Sequence, residues 1–342
     1  MVIPPKIYTS KSALPKGTHC VDELENAIRE LFYIEHPRVQ KNDTRGKEQM
    51  ATFFAKADSV GVWAYYPWRH TAVHMPAEDT YFRLRTARNR NLVTEKEQRM
   101  YRDAVVAVAG LSVGSAVVAT LTATGGPKRM KIADPDKVEI TNLNRMRATA
   151  LNLGMNKADV AAQGIWELDP FAELEIWDQG VGPGDIRKFL TNTSRLDVFV
   201  DEMDNIEMKV LSRQMCREEG IPVVMATDNG DSVIVDIERF DLEPERPIFH
   251  GRVQLSSDEM QSMDREKFVA LSSKIIDPAH FTERQQSSIA EIGKSLSGVA
   301  QLGTAAALAG ATVAYAVRLI ATKSALPSGR YLLGCESTFV AR

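Results

Sequence analysis

Cysteine is scarce and badly spaced for metal or disulfide chemistry. The 342 residues hold three, Cys20, Cys216 and Cys335, far apart and with no C-x-x-C pair. That spacing excludes a zinc ribbon and a disulfide framework, and it fits a reduced, cytoplasmic setting. An excess of charge is missing too. Lys and Arg total 42 against 45 Asp and Glu, a net charge of -3, so no basic footprint points to nucleic acid. The opening MVIPPKIYTSKSALPKG lacks the apolar centre of a signal peptide. One late run, Ser297 to Ala321, has the length of a membrane span. It consists mostly of Ala, Gly and Thr with Gln301 inside it, and such residues insert weakly. We read it as a buried helix, not a membrane anchor, whose small residues let another helix approach closely. No internal repeat is evident.

What is present is an ordinary globular composition, 44% apolar and 25% charged, able to bury a real core. Two parts are expected: an N-terminal extension over 1–87 of mixed α and β character, and a larger domain over 88–342. In the extension, CVDELENAIRELFYIEHP places Leu24, Ile28, Leu31 and Phe32 at helical spacing before Pro37, which predicts an amphipathic helix. SVGVWAYYPWRHTAVHMP reads as two strands around a turn at Pro67, and its aromatics Trp63, Tyr65, Tyr66 and Trp68 read as a small core.

From Ala104 onward, strand and helix patterns alternate: AVVAVAG, SAVVATLTATG, RMKIAD, GMNKADVAAQGIWELDP, ELEIWDQ, DIRKFLTN, LDVFVDEMD, NIEMKVLSRQMCREEG, PVVMATDNG. This order predicts a doubly wound, mostly parallel Rossmann-like α/β sheet with helices on both faces. Cys335 reads as part of a late strand and Cys216 as a buried small hydrophobe. The polar stretch near 255–295 reads as a helical insertion or lid.

Ligands of such sheets sit beyond the carboxyl ends of the strands. There the sequence places Gly110, Ser112 and Gly114, then Asp134 and Asp136, then Asp201 and Asp204. Gly110-Leu-Ser-Val-Gly114-Ser lacks the third glycine of a dinucleotide fingerprint, while its following helix still offers free N–H groups to an anion. Asp134 lies where an acid can bind a ribose hydroxyl. These features suit NAD and ATP equally. Just beyond lie Asn142, Asn144, Arg145 and Lys157. Two cations and two amides match a triphosphate: arginine as a planar fork, lysine as a mobile point charge. Asp204 could ligate magnesium, which takes one or two carboxylates together with phosphates.

In DPDKVEITNLNR (134–145), GMNK (154–157) and EMDN (202–205) the chain resembles the ThiF/MoeB/HesA superfamily, the adenylating domain of ubiquitin-activating enzymes and their bacterial relatives, over roughly 88–335. The resemblance implies an ATP- and Mg2+-dependent adenylyltransferase that turns a carboxylate into an acyl-adenylate. It implies that Asp134 binds the ribose, that Asn142, Arg145 and Lys157 contact phosphates, and that Asp204 holds the metal. It also implies a homodimer in which Arg90, in ARNRN, reaches the partner's phosphates. Substrates of that class are a ubiquitin-like protein, a peptide or a small carboxylate metabolite.

Two departures stand out. Ser112, Val113 and Ser115 stand where the family usually has glycine, while Gly110 and Gly114 remain. The Ser112 hydroxyl can donate to a phosphate, and Ser115 suits the helix N-terminus. No cysteine lies between Thr227 and Gly251, or on to Ser297, where relatives that form a thioester carry it, so adenylation without transthiolation is expected. His250 reads as a structural histidine, with a general base as the other option. Two further functions stay open: a catalytically silent dimeric scaffold, for which the substituted loop speaks, and an oxidoreductase using NAD or FAD.

Overall fold

The computed structural model describes residues 2–40, 44–56, 61–192, 195–253, 271, 274–275 and 278–335. The chain divides into two compact units, Met1–Gln98 with Trp166–Phe171, and Arg99–Ile165 with Ala172–Arg342.

The first unit is built on a four-stranded sheet: β1 (Lys6–Tyr8), β2 (His19–Asp22), β3 (Val62–Tyr66) and β4 (Thr71–Met75), in the order β1-β3-β4-β2. β3 runs antiparallel to β1 and β4, and β2 runs parallel to β4. The expected turn at Pro67 is a single 3-10 turn, Pro67–Arg69. Along β3 the side chains alternate between faces. Trp63 and Tyr65 pack with Ala72 on one side, Ala64 and Tyr66 with Met75 on the other. The aromatic run therefore fills two small cores, as its composition suggested. The helices are α1 (Leu24–Glu35), α2 (Thr44–Lys56) and α3 (Glu78–Arg85), followed by α4 (Glu95–Asp103). α1 buries the expected stripe of Leu24, Ile28, Leu31 and Phe32.

The second unit carries a seven-stranded sheet in the order β11-β10-β9-β8-β5-β6-β7. Its strands are β5 (Val105–Ala109), β6 (Arg129–Ala133), β7 (Glu173–Trp177), β8 (Val198–Asp201), β9 (Val223–Asn229), β10 (Ser232–Glu238) and β11 (Gly329–Gly334). The chain lays down β5, β6 and β7 in one direction, then returns to the other side of β5 for β8 and β9, all parallel. The winding therefore reverses between β5 and β8, and the crevice beyond their carboxyl ends is a topological switch point. The helices are α5 (Gly114–Ala123), α6 (Lys157–Leu168), α7 (Ile186–Thr191), α8 (Ile206–Glu219), α9 (Glu283–Ala290) and α10 (Gly303–Ala321).

The parallel pattern stops at β9. β9 and β10 form a two-residue hairpin through Gly230 and Asp231, and β11 adds antiparallel to β10. Cys335 falls just past β11, where its N–H donates to the Asp231 carbonyl, so it is not itself a strand residue. Of the expected insertion near 255–295, α9 is seen, while 254–270 lies outside the described residues. Cys216 is fully buried, and burial pushes its thiol well up.

α10 is the apolar run that has the length of a membrane span. Half of it is buried inside the protein, where its small residues meet α5. A Cβ on Gly310 would stand 2.7 Å from the Ala116 carbonyl oxygen, and one on Gly303 would stand 2.5 Å from that of Asn144. Both distances lie inside van der Waals contact, so glycine sets how closely this helix can approach. Gly310→Val is expected to destabilise the protein by about 1–3 kcal/mol, the cost typical of overpacking, read as a lower urea midpoint; an unchanged midpoint would show that the contact does not constrain the helix.

Candidate functional site

β5 is buried over its whole length and delivers Gly110 to the switch point. Gly110 has φ +88, and a Cβ there would lie 2.2 Å from the Glu202 carbonyl oxygen. Glycine is thus required twice, for the positive φ and for the approach of the loop after β8. The Gly110 N–H donates to the Ala133 carbonyl, and the Glu202 N–H donates to that of Ala109. These two bonds knit the three strand ends together. Gly114 opens α5, where an added Cβ would press on Val108 at 3.2 Å. In the first turn of α5 the Ala116 N–H is taken by the Val113 carbonyl, and the N–H groups ahead of it stand at a helix start, where an anion is favoured.

Asp134 follows β6 and accepts from two backbone N–H groups, Leu111 at 2.6 Å and Asp136 at 2.9 Å. Burial raises its carboxyl, against the pull of those amides and of Lys157. Lys157 begins α6, and its ammonium pairs with Asp136 at 2.9 Å. Asn156, absent from the sequence-level candidates, holds this corner. Its side chain donates to the Asp134 and Asp178 carbonyls and accepts from the Ala158 and Asp159 N–H groups. It therefore caps α6 while tying the helix to the ends of β6 and β7. An Asn directly before the helical pattern is the signal that could have found it.

The two loop serines serve a purpose not expected for them. The Ser115 hydroxyl does not cap α5. It donates to the Ser112 carbonyl at 2.8 Å and accepts from the Arg147 N–H at 3.1 Å. The Ser112 hydroxyl accepts from Arg145 Nε at 3.2 Å. Together they clasp the glycine-poor loop to the segment that carries Arg145. The Arg145 guanidinium also donates to the Thr141 carbonyl and to Asn144 Oδ1. Asn144 in turn donates to the Gln301 carbonyl, just before α10. Asn142 is buried, with its side-chain oxygen accepting the Glu139 N–H within its own turn.

Across the crevice, the loop after β8 carries an exposed Asp204. Asp201, at the end of β8, lies beneath it and accepts the Met203 N–H at 3.1 Å. Asp201 belongs to a fully buried ionic chain in which Arg213 bridges Asp201 and Glu238, with Lys209 on Asp201 at 3.3 Å. The loop that presents Asp204 thus stands on buried charge. Arg213, on α8, is fully buried, which no local pattern around it signals.

Asp228, at the end of β9, also escaped the sequence reading. It is only 9% exposed. Its Oδ2 accepts from Gln301 at 3.2 Å, and its buried Oδ1 has no hydrogen-bond partner. Burial raises its carboxyl to about 6, against the pull of Arg145 and Gln301 and with a further push from Asp204. Asp228, Asp204 and Arg145 therefore share one electrostatic neighbourhood. The orphaned oxygen, within electrostatic reach of the Asp204 carboxylate, has the chemistry of a ligand for a hard divalent cation, which takes oxygen ligands.

His250 lies away from this chemistry. Nε2 is 2.9 Å from Asp236, and Nδ1 is 3.0 Å from the Arg246 guanidinium. Because Arg246 can only donate, Nδ1 is the acceptor and Nε2 carries the proton. Both ring nitrogens are committed, the arrangement of a structural histidine. Burial pushes Asp236 up, but the bonds from His250 and Arg330 prevail and bring it to about 2. Arg90 belongs to the first unit, exposed in the turn after Ala87–Asn89.

Comparison with known proteins gives a consistent picture. The profile of the ThiF family matches residues 86–338. The uncharacterized protein MT1398 of Mycobacterium tuberculosis (strain CDC 1551 / Oshkosh) is 39% identical over 269 residues, covering 78% of this chain and 37% of that protein. The ubiquitin-like modifier-activating enzyme 5 of Caenorhabditis briggsae is 26% identical over 213 residues, 58% of this chain and 46% of the enzyme. The chain thus spans less than half the length of these curated relatives. The solved structure of E. coli MccB with ATP superposes with a TM-score of 0.51 at 15% identity, covering 91% of this chain and 84% of that one. At that identity the likeness shows the fold alone.

Two outcomes follow for stability without nucleotide. Unfolded Asp228 titrates near 3.8 and folded Asp228 near 6. Its favourable contribution is therefore complete below pH 4 and lost as pH rises through 6. Asp228→Asn, which keeps an acceptor for Gln301, is expected to be more stable than wild type at pH 7.5, by up to about 3 kcal/mol for a shift of this size. The gain should vanish near pH 4, as read by urea unfolding at both values; a variant less stable at pH 7.5 would contradict the assignment. Arg213→Ala strands two buried carboxylates and is expected to cost about 3–5 kcal/mol, read as the fall in the same unfolding midpoint.

Proposed function

Because the chain belongs to the ThiF family, we propose that its second unit binds ATP at the switch point and adenylates a carboxylate. The observation that carries this reading is the convergence of Arg145, Lys157 and the α5 N-terminus on one side of the crevice with Asp204 and Asp228 on the other. Cations and free N–H groups serve the phosphates. Two acids, one with an orphaned oxygen, would hold Mg2+, which supplies positive charge against the polyphosphate.

A substrate carboxylate oxygen attacks the α-phosphorus, the bond to the bridging oxygen breaks, and pyrophosphate leaves with that electron pair. The chain's own part is to position the reactants and to offset charge as it moves onto pyrophosphate. Lys157 exchanges Asp136 for a phosphate oxygen. Arg145, already held at the loop by Ser112, turns its fork to the phosphates. Asp134 holds the ribose. Asn142 and Asn144 shape the Arg145 segment, so their contribution is to position it. The protein acts as a homodimer, and Arg90 of each copy approaches the partner's phosphates.

The first unit recognises the carboxylate partner: a ubiquitin-like protein, a peptide or a small metabolite. MccB, solved with N-formylated MccA, supports a peptide within that range. The acyl group passes directly to an amine or thiol acceptor. No cysteine lies between Thr227 and Gly251, and the Cys216 thiol is buried and pushed away from the thiolate.

The test is carboxylate-dependent exchange of labelled pyrophosphate into ATP, screened over peptides, ubiquitin-like proteins and metabolites. Arg145→Ala and Asp204→Ala are each expected to lower exchange by about 100-fold or more, the scale of losing one transition-state charge partner. Full activity in both variants would overturn the site.

A further inference from the structure

A buried row of groups in the second unit joins two loops. The Met203 N–H donates to Asp201 Oδ1 at 3.1 Å, and Asp201 Oδ2 accepts from Arg213 Nη1. Arg213 Nε donates to Glu238 Oε2 at 2.6 Å, and Glu238 Oε1 accepts the Phe249 N–H, also at 2.6 Å. Each carboxylate therefore holds the guanidinium with one oxygen and a loop amide with the other. At one end of the row is the loop that carries Asp204. At the other is the turn Ile248–Gly251, in the chain beyond β10. Asp201, Arg213, Glu238 and Phe249 are each at most 1% exposed.

The turn is strained. Phe249 has φ +48, His250 φ +58 and Gly251 φ +82, so successive residues lie in the left-handed region. Only the last is a glycine, the residue that adopts it readily. Such a backbone persists where its surroundings hold it. Here Glu238 holds the Phe249 amide, and the Arg213 guanidinium lies over the Phe249 ring, 4.1 Å from its centre. His250 is held at both ring nitrogens, by Asp236 and Arg246. Arg213 thus acts on the turn twice, through Glu238 and through the ring.

Buried charge is a poor source of stability, because desolvation offsets much of the attraction. What this row supplies is geometry. The planar guanidinium fixes the angle between the two carboxylates it bridges, and so the relation between the amides they hold. Lys209 also neutralises Asp201, at 3.3 Å, but a point charge sets no angle. In a close-packed interior Asp201 shifts only with Arg213, and Arg213 only with Glu238 and the Phe249 ring.

We propose that Arg213 is a positioning residue through which the strained turn at 249–251 sets the aim of Asp204. Whatever relaxes the turn then loosens the metal ligand. That role rests on the reading of Asp204 as a Mg2+ ligand, while the link between turn and loop needs no nucleotide.

The test uses the full chain in two variants milder than loss of a side chain. Glu238→Gln offers one oxygen in place of two, so the Arg213 and Phe249 bonds compete for it. Arg213→Lys keeps a charge on Asp201 and loses the planar fork. The first readout is amide hydrogen exchange without nucleotide. In both variants the Met203 and Phe249 amides should exchange about tenfold faster or more, the scale of one hydrogen bond to a charged group. The Ile132 amide, in β6, measures overall unfolding and should change less. The second readout is the Mg2+ concentration that gives half of its effect on Tm in the presence of ATP. It should rise by about threefold or more in each variant, as a coupled network transmits, while the Tm shift with ATP alone stays as in wild type. In an Asp204→Ala background Glu238→Gln should add nothing to the Mg2+ requirement, because no carboxylate remains to be aimed. A general loss of stability would not depend on Asp204 in this way. Faster exchange at Phe249 with Met203 following Ile132 overturns the link. An unchanged Mg2+ requirement in both variants, or an equal increase with and without Asp204, overturns the positioning role. Coupled exchange in a protein whose Tm ignores ATP and Mg2+ would count against the nucleotide reading and the metal role, and would support the link between turn and loop alone.

Discussion

The candidate site depends on the contact between Gly110 and the Glu202 carbonyl. At 2.2 Å from that oxygen there is no room for a Cβ, so the loops after β5 and β8 meet only because one of them carries no side chain. That contact brings the α5 N-terminus and Asp204 to the same crevice. The buried chain of Asp201, Arg213 and Glu238 acts on the same loop from below, since Asp201 receives the Met203 N–H. A buried ion network is weak evidence for stability. Here it fixes the backbone that presents an exposed acid.

The serines of the phosphate loop change their meaning in three dimensions. As a string, Ser112 and Ser115 are glycines lost. In space they join the loop to the segment around Arg145 and Arg147. The loop gives up backbone freedom and gains a fixed relation to a cation. α10 completes the arrangement from the far side: Gln301, just before it, touches both Asn144 and Asp228, and Gly303 and Gly310 let the helix come close enough to do so.

Much of this was legible in the sequence for identifiable reasons. The fully apolar VVAVA could only be a buried strand. Leu24, Ile28, Leu31 and Phe32 could share only one helix face. The acids, amides and cations after β6 were visible through their spacing. The missed features depend on facts that local sequence does not hold. Asp228 looked like the end of one more parallel strand; its closeness to Asp204 and Arg145 follows from the strand order. Nothing in the helical pattern of NIEMKVLSRQMCREEG marks Arg213 as buried, and only the facing Asp201 and Glu238 allow it to be. DSVIVDIERFDLEP reads as a turn and a strand, which β10 bears out, and Asn229-Gly230-Asp231 between two β-branched runs is the hairpin chemistry that makes it antiparallel to β9.

The proposed magnesium–ATP site in the crevice between β5 and β8 is open to a direct binding test. The most direct measurement is the melting temperature with ATP and Mg2+, ATP alone, and NAD, in wild type and Arg145→Ala. A protein that binds ATP only when folded is stabilised as ligand exceeds Kd. A rise in Tm with ATP is expected that grows when Mg2+ is added, is lost in Arg145→Ala, and has no counterpart with NAD. A rise with NAD and none with ATP would contradict it.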